Sequence, residues 1–136
     1  MKKILLTLFC SLIFTFNATA EKYALIIAIG DYPSRTGWSD ISSVNDVHLI
    51  KSTLINQKFK EGNIIVLTNS SATKTGIINA LEALQKRIQP GDIVVIHYSG
   101  HGQQMFDDNG DEIDDRDEAL VPYDALVKYT FNYKGE

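Results

Sequence analysis

Cysteine is almost absent from this 136-residue chain, in which Cys10 is the single example. It lies inside an apolar run from Ile4 to Phe16, close to the N-terminus. No cysteine follows it, so structural disulfides are excluded for the rest of the chain. The cysteine count therefore gives no information about the redox compartment.

Long hydrophobic runs are also missing. The run from Ile4 to Phe16 has 13 residues, whereas a helix that spans a bilayer needs roughly 20. Lys2 and Lys3 precede this run, and Ala18-Thr19-Ala20 follows it as an A-x-A cleavage pattern. The N-terminus therefore predicts a secretory signal peptide at residues 1–20, with an uncleaved anchor as the alternative. We expect a secreted or periplasmic protein that has no membrane association after signal cleavage.

Positive charge is in short supply. The chain has 13 Lys and Arg against 17 Asp and Glu, a net charge of −4, and loss of the signal peptide with its two lysines makes it −6. No basic patch is interleaved with aromatic residues, which argues against a nucleic-acid partner. Eight carboxylates fall between Asp107 and Glu118 beside one arginine, Arg116. The negative charge is therefore local, and residues 21–136 are long enough for one domain.

Apolar runs and helical patterns alternate along the remaining chain. The expected elements are a strand at Lys22–Gly30, a loop at Asp31–Ser42, a helix from Ser43, a strand at Ile64–Leu67, a helix after Asn69–Thr73, a strand from Ile93, and a fourth strand or hairpin arm at Ala119–Tyr123. This order predicts an α/β fold with a mostly parallel sheet flanked by helices. Four consecutive branched residues from Ile93 predict a strand that is covered on both faces.

Three strands and two helices leave one edge and much of one face of such a sheet uncovered. The final stretch from Tyr129 to Glu136 contains no cap, breaker or finished element. We therefore expect that the domain is incomplete at its C-terminus.

His101 is the leading candidate for a functional residue. It stands between Gly100 and Gly102, directly after the Ile93 strand, and ligands in open α/β sheets gather at the carboxyl ends of strands. The histidine could be a general acid or base, a metal ligand, or a structural residue of the turn. His97 lies within the strand, which favours a structural role.

A metal-dependent hydrolase that uses both histidines is a weaker hypothesis. Strand residues four apart are separated by roughly 13 Å, which is too far for His97 and His101 to share an ion unless the turn folds back.

Two segments closely resemble the metacaspases and related caspase-like cysteine peptidases of the C14 type. The first is His-Tyr-Ser-Gly-His-Gly-Gln, from His97. The second is the acidic stretch, Asp107–Glu118, together with the Ala-Leu-Val-Pro-Tyr-Asp that follows it. The strand that begins at Lys22 resembles that family's opening strand. Val44-Asn45-Asp46 matches its Asn-Asp pair at the start of the first helix. The resemblance extends from Lys22 to about Asp124.

This resemblance assigns roles to three residues. His101 matches the histidine of the family's Cys–His dyad, which activates a thiol and then protonates the leaving amine. Gly102 matches the residue whose backbone N–H stabilises the oxyanion. Asp46 matches the carboxylate that selects Arg or Lys before the scissile bond, so protein and peptide substrates with basic residues are implied. Alternatively, Asp46 pairs with Ser43 only to cap its helix.

The acidic stretch suggests calcium, which takes six to eight oxygen ligands. The spacing does not fit an EF-hand loop, because Met105 would then occupy the first position and Arg116 the twelfth. In calcium-dependent metacaspases, an acidic residue corresponding to Asp117 holds the ion with aspartates from a later segment. The resemblance thus implies no cofactor for the chemistry and Ca²⁺ as a possible activator. A solvated acidic loop is the alternative.

The family's nucleophilic cysteine is expected roughly 50 residues after the histidine, which is beyond Glu136. Residues 21–136 would then be a caspase-like peptidase domain that stops before its catalytic cysteine and is inactive alone. The alternative is a non-catalytic caspase-like module that binds basic peptides at Asp46 and the acidic stretch.

Overall fold

The computed structural model describes residues 20–107 and 109–127. The signal-peptide prediction and the final stretch from residue 128 lie outside these ranges, except for Ala20. In chain order the elements are β1 (Lys22–Ala28), α1 (Val47–Asn56), β2 (Ile64–Thr68), α2 (Lys74–Gln85), β3 (Ile93–Ser99), β4 (Gly102–Phe106) and β5 (Arg116–Leu120).

Strands β1, β2 and β3 form one parallel sheet in the order β2-β1-β3. The central strand β1 consists of apolar residues that are buried on both faces from Ala24 onward. Its first face contributes Leu25 and Ile27 to a core that includes α2 residues. Its second face contributes Ala24 and Ile26 to a core that includes Leu54 of α1. The predicted α/β fold, a mostly parallel sheet with flanking helices, is confirmed.

The prediction that β3 is covered on both faces is wrong for the described residues. Ile93, Val94 and Ile96 are 46%, 37% and 56% exposed, because α1 and α2 pack mainly over β1 and β2. The accompanying expectation of an uncovered edge and face is confirmed. An apolar run predicts a strand, but it does not say which elements pack on the faces of that strand.

The acidic stretch is not simply a loop. β4 and β5 form an antiparallel two-stranded sheet in which Gly102 pairs with Leu120 and Phe106 pairs with Arg116. β5 therefore starts inside the acidic stretch and ends before Pro122, three residues earlier than the predicted strand. The hairpin-arm alternative is the correct one, and β4 was not predicted.

The two helices start close to their predicted positions. A short 3₁₀ turn at Ser43–Asp46 precedes α1. Thr73 caps α2, since its hydroxyl accepts the N–H of Gly76 at 3.0 Å. The spacing of Ile77, Leu81, Leu84 and Ile88 predicts one apolar face for this segment. Leu84 is buried, and Ile77 and Ile88 pack against the core, but Leu81 is 38% exposed. In the described part of the chain, neither helix has the length and hydropathy required to cross a membrane.

Candidate active site

The imidazole ring of His101 is held from two sides at the carboxyl end of β3. It stacks on Trp38, with ring centroids 5.0 Å apart and planes 27° from parallel. The ring of Tyr32 lies 5.0 Å away on a tilted plane. The Nε2 atom is 2.8 Å from the carbonyl oxygen of Ser39. The ring therefore has a defined position and orientation.

The Ser39 contact also fixes the tautomer of His101. A carbonyl oxygen only accepts hydrogen bonds, so Nε2 must carry the proton and donate it. In the neutral ring, Nδ1 then holds the free lone pair. This is the arrangement that a general base requires, because the proton-accepting nitrogen is already unprotonated.

The loop that supplies Trp38 and Ser39 is tied down at several points. The backbone N–H of Tyr32 donates to Asp40 Oδ1 at 2.9 Å. The indole N–H of Trp38 donates to the carbonyl of Ala125 at 3.0 Å. Gly37 adopts a left-handed φ of 83° at the end of a short 3₁₀ turn, a conformation that favours glycine. These bonds fix the loop against the His101 ring.

Gly102 opens β4, and its place in the ladder decides where its N–H points. The N–H of Val121 donates to His101 O at 3.0 Å, and the N–H of Asp107 donates to Asp115 O at 3.1 Å. Hydrogen-bonded and non-hydrogen-bonded pairs alternate in an antiparallel ladder. Gly102 and Leu120 therefore form a non-hydrogen-bonded pair, and the Gly102 N–H is directed away from β5. It is available to a group outside the hairpin.

Asp46 is exposed at the junction between the 3₁₀ turn and α1. It occupies the N-cap position of α1 but its side chain makes no capping hydrogen bond. The predicted capping pair of Ser43 and Asp46 is therefore wrong. Asp46 remains available for another partner.

Asp117 lies in β5 near two other aspartates. One carboxylate oxygen from each of Asp107, Asp111 and Asp117 lies within 4.8 Å of the others. Asp107 is buried and accepts backbone N–H bonds from Asn109, Gly110 and Glu112. These bonds, led by those from Glu112 and Gly110, hold the pKa of Asp107 below its usual value.

These three carboxylates fit part of a calcium site. They could supply three of the six to eight oxygen ligands that the ion takes, so further ligands would have to come from elsewhere. Both oxygens of Asp107 already accept N–H bonds, which makes this residue chiefly an organiser of the β4–β5 connection.

The structure does not bring His97 and His101 together as metal ligands. Within the described ranges, the one group of three or more potential ligands is the aspartate cluster, which contains neither histidine. The buried Nε2 atom of His97 has no hydrogen-bond partner among the described residues.

Sequence reasoning missed the residues that hold His101. Ser39 contributes a backbone carbonyl, and residue type gives no signal for such a contact. Trp38 and Tyr32 did carry a signal, since they are large aromatic residues in a stretch predicted to be a polar, turn-rich loop. The pattern did not indicate what these two rings would cover.

Together, the parallel sheet with helices on both faces and the histidine turn at its carboxyl edge define a caspase-like α/β domain. The family description "Metacaspase, peptidase C14 domain" matches residues 22–130. Metacaspase-2 of Arabidopsis thaliana is 41% identical over 88 residues, which cover 60% of this chain and 21% of that protein. Metacaspase-1 of Emericella nidulans is 38% identical over 119 residues, which cover 82% of this chain and 29% of that protein.

A crystal structure of a protein from Geobacter sulfurreducens is also similar, with a TM-score of 0.62 and 25% identity over 79% of this chain and 41% of that one. The chain belongs to the metacaspase family of C14 cysteine peptidases. It spans about a fifth to a third of the length of the curated relatives that it matches.

Proposed function

We propose that this chain carries the histidine half of the catalytic site of a secreted or periplasmic metacaspase-type endopeptidase that cleaves after Arg or Lys. The observation that carries the proposal is the His101 ring, whose Nε2–H is engaged by Ser39 O while Nδ1 keeps its lone pair. The nucleophilic cysteine would come from residues after Glu136.

The chemistry follows from this arrangement. His101 Nδ1 takes the proton from the cysteine thiol, and the thiolate attacks the carbonyl carbon of the scissile bond. The Gly102 N–H, directed away from β5, donates to the oxyanion that forms. The imidazolium then protonates the departing amine, and water hydrolyses the acyl-enzyme with the same histidine as base. Without the thiol the first step has no nucleophile, so residues 21–136 alone should not cleave peptides.

Asp46 is the proposed source of selectivity. Its carboxylate is exposed and makes no capping bond, so it can form a charge-assisted contact with a basic side chain. The same negative charge would repel an acidic side chain at that position. Substrates with Arg or Lys before the scissile bond should therefore be preferred.

The test is a panel of fluorogenic peptides that differ only in the residue before the scissile bond. The natural full-length protein should cleave the Arg and Lys members and leave the Asp member intact. Preference for the Asp member would overturn the selectivity. A full-length protein that binds Arg peptides but cleaves none would instead be a non-catalytic binding module.

Calcium is the proposed activator. The ion would offset repulsion among the carboxylates between Asp107 and Glu118 and stiffen the β4–β5 hairpin, whose opposite end begins directly after His101. We expect the full-length enzyme to be several-fold faster with calcium than after chelation. Asp117→Asn should remove most of this response. The matched control is Asp114→Asn, because Asp114 is exposed in the same connection but lies outside the aspartate cluster.

A calcium titration of activity checks this prediction. Residues 21–136 should bind the ion only weakly, with a dissociation constant on the order of millimolar, because part of the ligand set is missing. If the chelated full-length enzyme is as fast as the calcium-loaded one, the acidic stretch is only a solvated surface.

A further inference from the structure

Two tyrosine hydroxyls lie beneath the His101 turn and hold its backbone on both sides. The Tyr32 hydroxyl accepts the His101 N–H at 3.2 Å and donates to Val121 O at 3.2 Å. It thus bridges the His101 N–H and the Val121 carbonyl, which would bond to each other directly in a regular antiparallel ladder. The Tyr98 hydroxyl accepts the Val121 N–H at 3.1 Å. Its oxygen is also 2.8 Å from both His101 O and Val121 O, and its one proton can serve either carbonyl.

This arrangement accounts for the glycine at position 100. A Cβ atom there would lie 2.5 Å from the Tyr98 hydroxyl oxygen and 3.0 Å from the Tyr32 hydroxyl oxygen. The first distance is shorter than a real Cβ contact and the second is tight, so a side chain at position 100 would displace the Tyr98 phenol. Gly100 therefore leaves room for the two hydroxyls beneath the turn.

The hydroxyl bond to His101 O has a consequence for Gly102. The C=O of His101 and the N–H of Gly102 belong to one planar trans peptide, in which the two groups point in opposite directions. Any group that fixes the carbonyl also fixes the N–H. Tyr32 already donates to Val121 O, so the Tyr98 proton is free to serve His101 O. Tyr98 and the Val121 N–H, which also donates to His101 O, therefore set the direction of the Gly102 N–H.

Both hydroxyls are suited to this task. Burial raises the pKa of Tyr98 well above its ordinary value, and the neighbouring Tyr32 adds to the rise. Tyr98 consequently stays a neutral donor throughout the pH range in which a cysteine peptidase works. The Tyr32 ring packs against the His101 ring, and the Tyr32 hydroxyl accepts the His101 backbone N–H. One side chain therefore holds both the ring and the backbone of His101.

We propose that Tyr98 and Tyr32 are positioning residues that aim the Gly102 N–H at the oxyanion, Tyr98 through the His101 carbonyl and Tyr32 through the His101 N–H. The proposal rests on the proposed peptidase function. Neither hydroxyl touches the substrate, and each acts through the backbone of His101.

The first test is kinetic and uses the natural full-length protein. Tyr98→Phe should lower kcat about 10- to 100-fold, less than the roughly 10²- to 10³-fold that follows complete removal of an oxyanion donor. KM should stay within about twofold, because the donor acts on the transition state. Tyr32→Phe should lower kcat in the same way but by less. The matched control is Tyr23→Phe, since Tyr23 lies half-buried in β1 with its ring against Arg87, away from the turn.

The second test reads the peptide itself and does not depend on activity. His-Gly occurs once in the 136-residue chain, at positions 101–102. In the natural full-length protein, labelling with ¹³C-carbonyl histidine and ¹⁵N-glycine selects His-Gly peptides in an NMR spectrum, and the signal that Gly102→Ala removes is the one from this peptide. Loss of the hydroxyl bond in Tyr98→Phe should shift the His101 carbonyl and Gly102 nitrogen resonances, whereas Tyr23→Phe should leave both in place.

The two tests separate the possible failures. If the wild-type protein cleaves no peptide but the resonances shift as described, the peptidase function fails while the hydroxyls still hold the turn. If the resonances do not move, or if kcat of a folded Tyr98→Phe or Tyr32→Phe protein equals that of Tyr23→Phe, the positioning role is overturned. Should Tyr98→Phe not fold, Tyr32→Phe provides the same test.

Discussion

Replacement of His101 by alanine in the natural full-length protein should lower kcat/KM for basic peptides by at least about 10³-fold. The substitution removes the base that activates the thiol and the acid that protonates the leaving group, and each such role contributes roughly 10²- to 10⁴-fold. The cost in folding free energy should be small, about 1 kcal/mol for the lost stacking on Trp38. Kinetics and thermal unfolding of the same preparation check both parts.

His48→Ala is the matched control, because His48 is an exposed histidine on α1. It should cleave at the wild-type rate. If a folded His101→Ala protein retained activity within about tenfold of wild type, His101 would be only a structural residue of the turn, and the proposed mechanism would be wrong.

Replacement of Asp46 by lysine should suppress cleavage of Arg and Lys peptides by at least about 100-fold. A charge-assisted hydrogen bond contributes roughly 1.5–3 kcal/mol, and the introduced ammonium adds repulsion. Asp46→Asn, which keeps the shape and removes the charge, should cost about 10- to 100-fold. The panel of matched peptides measures both, and the wild-type enzyme provides the reference for each peptide.

Glu82→Lys is the control that separates a direct contact between Asp46 and the substrate from an effect of the protein's net charge. Glu82 is an exposed acidic residue on α2, so its reversal changes the net charge by the same amount as Asp46→Lys. Its effect on the peptide panel should be less than about twofold. Equal losses in the two variants would show that Asp46 does not contact the substrate side chain.

The sequence predicted the central part of the fold because the residues of β1 and of the two helices themselves form the patterns that indicate these elements. The apolar run that begins at Lys22 ends up in the middle of the sheet, and Thr73 caps α2 with its own side chain. β4 escaped prediction because Gly102–Phe106 contains two glutamines and a glycine and has no alternating pattern. Its conformation comes from pairing with β5, which is a tertiary contact.

The residues of the candidate site also fall into those that the sequence indicated and those that only tertiary contacts bring to the site. His101 and Gly102 stood out because glycines at a strand end are a local pattern. The Ser39 carbonyl could not be found, since every residue has a carbonyl and only the path of the loop brings this one to 2.8 Å from the imidazole. The roles of the tyrosine hydroxyls could not be predicted either, because their partners are backbone groups of the residue that precedes β4 and of the residue that follows β5.

The central claim is that His101 activates a cysteine thiol supplied by residues after Glu136. The most direct measurement is the alkylation of the natural full-length protein by iodoacetamide near pH 6, with the modified residue mapped by mass spectrometry and cleavage followed in parallel. We predict that one cysteine after Glu136 reacts much faster than ordinary thiols, that its modification abolishes cleavage, and that His101→Ala removes this fast reaction. Full cleavage activity after complete alkylation of every cysteine would contradict the account.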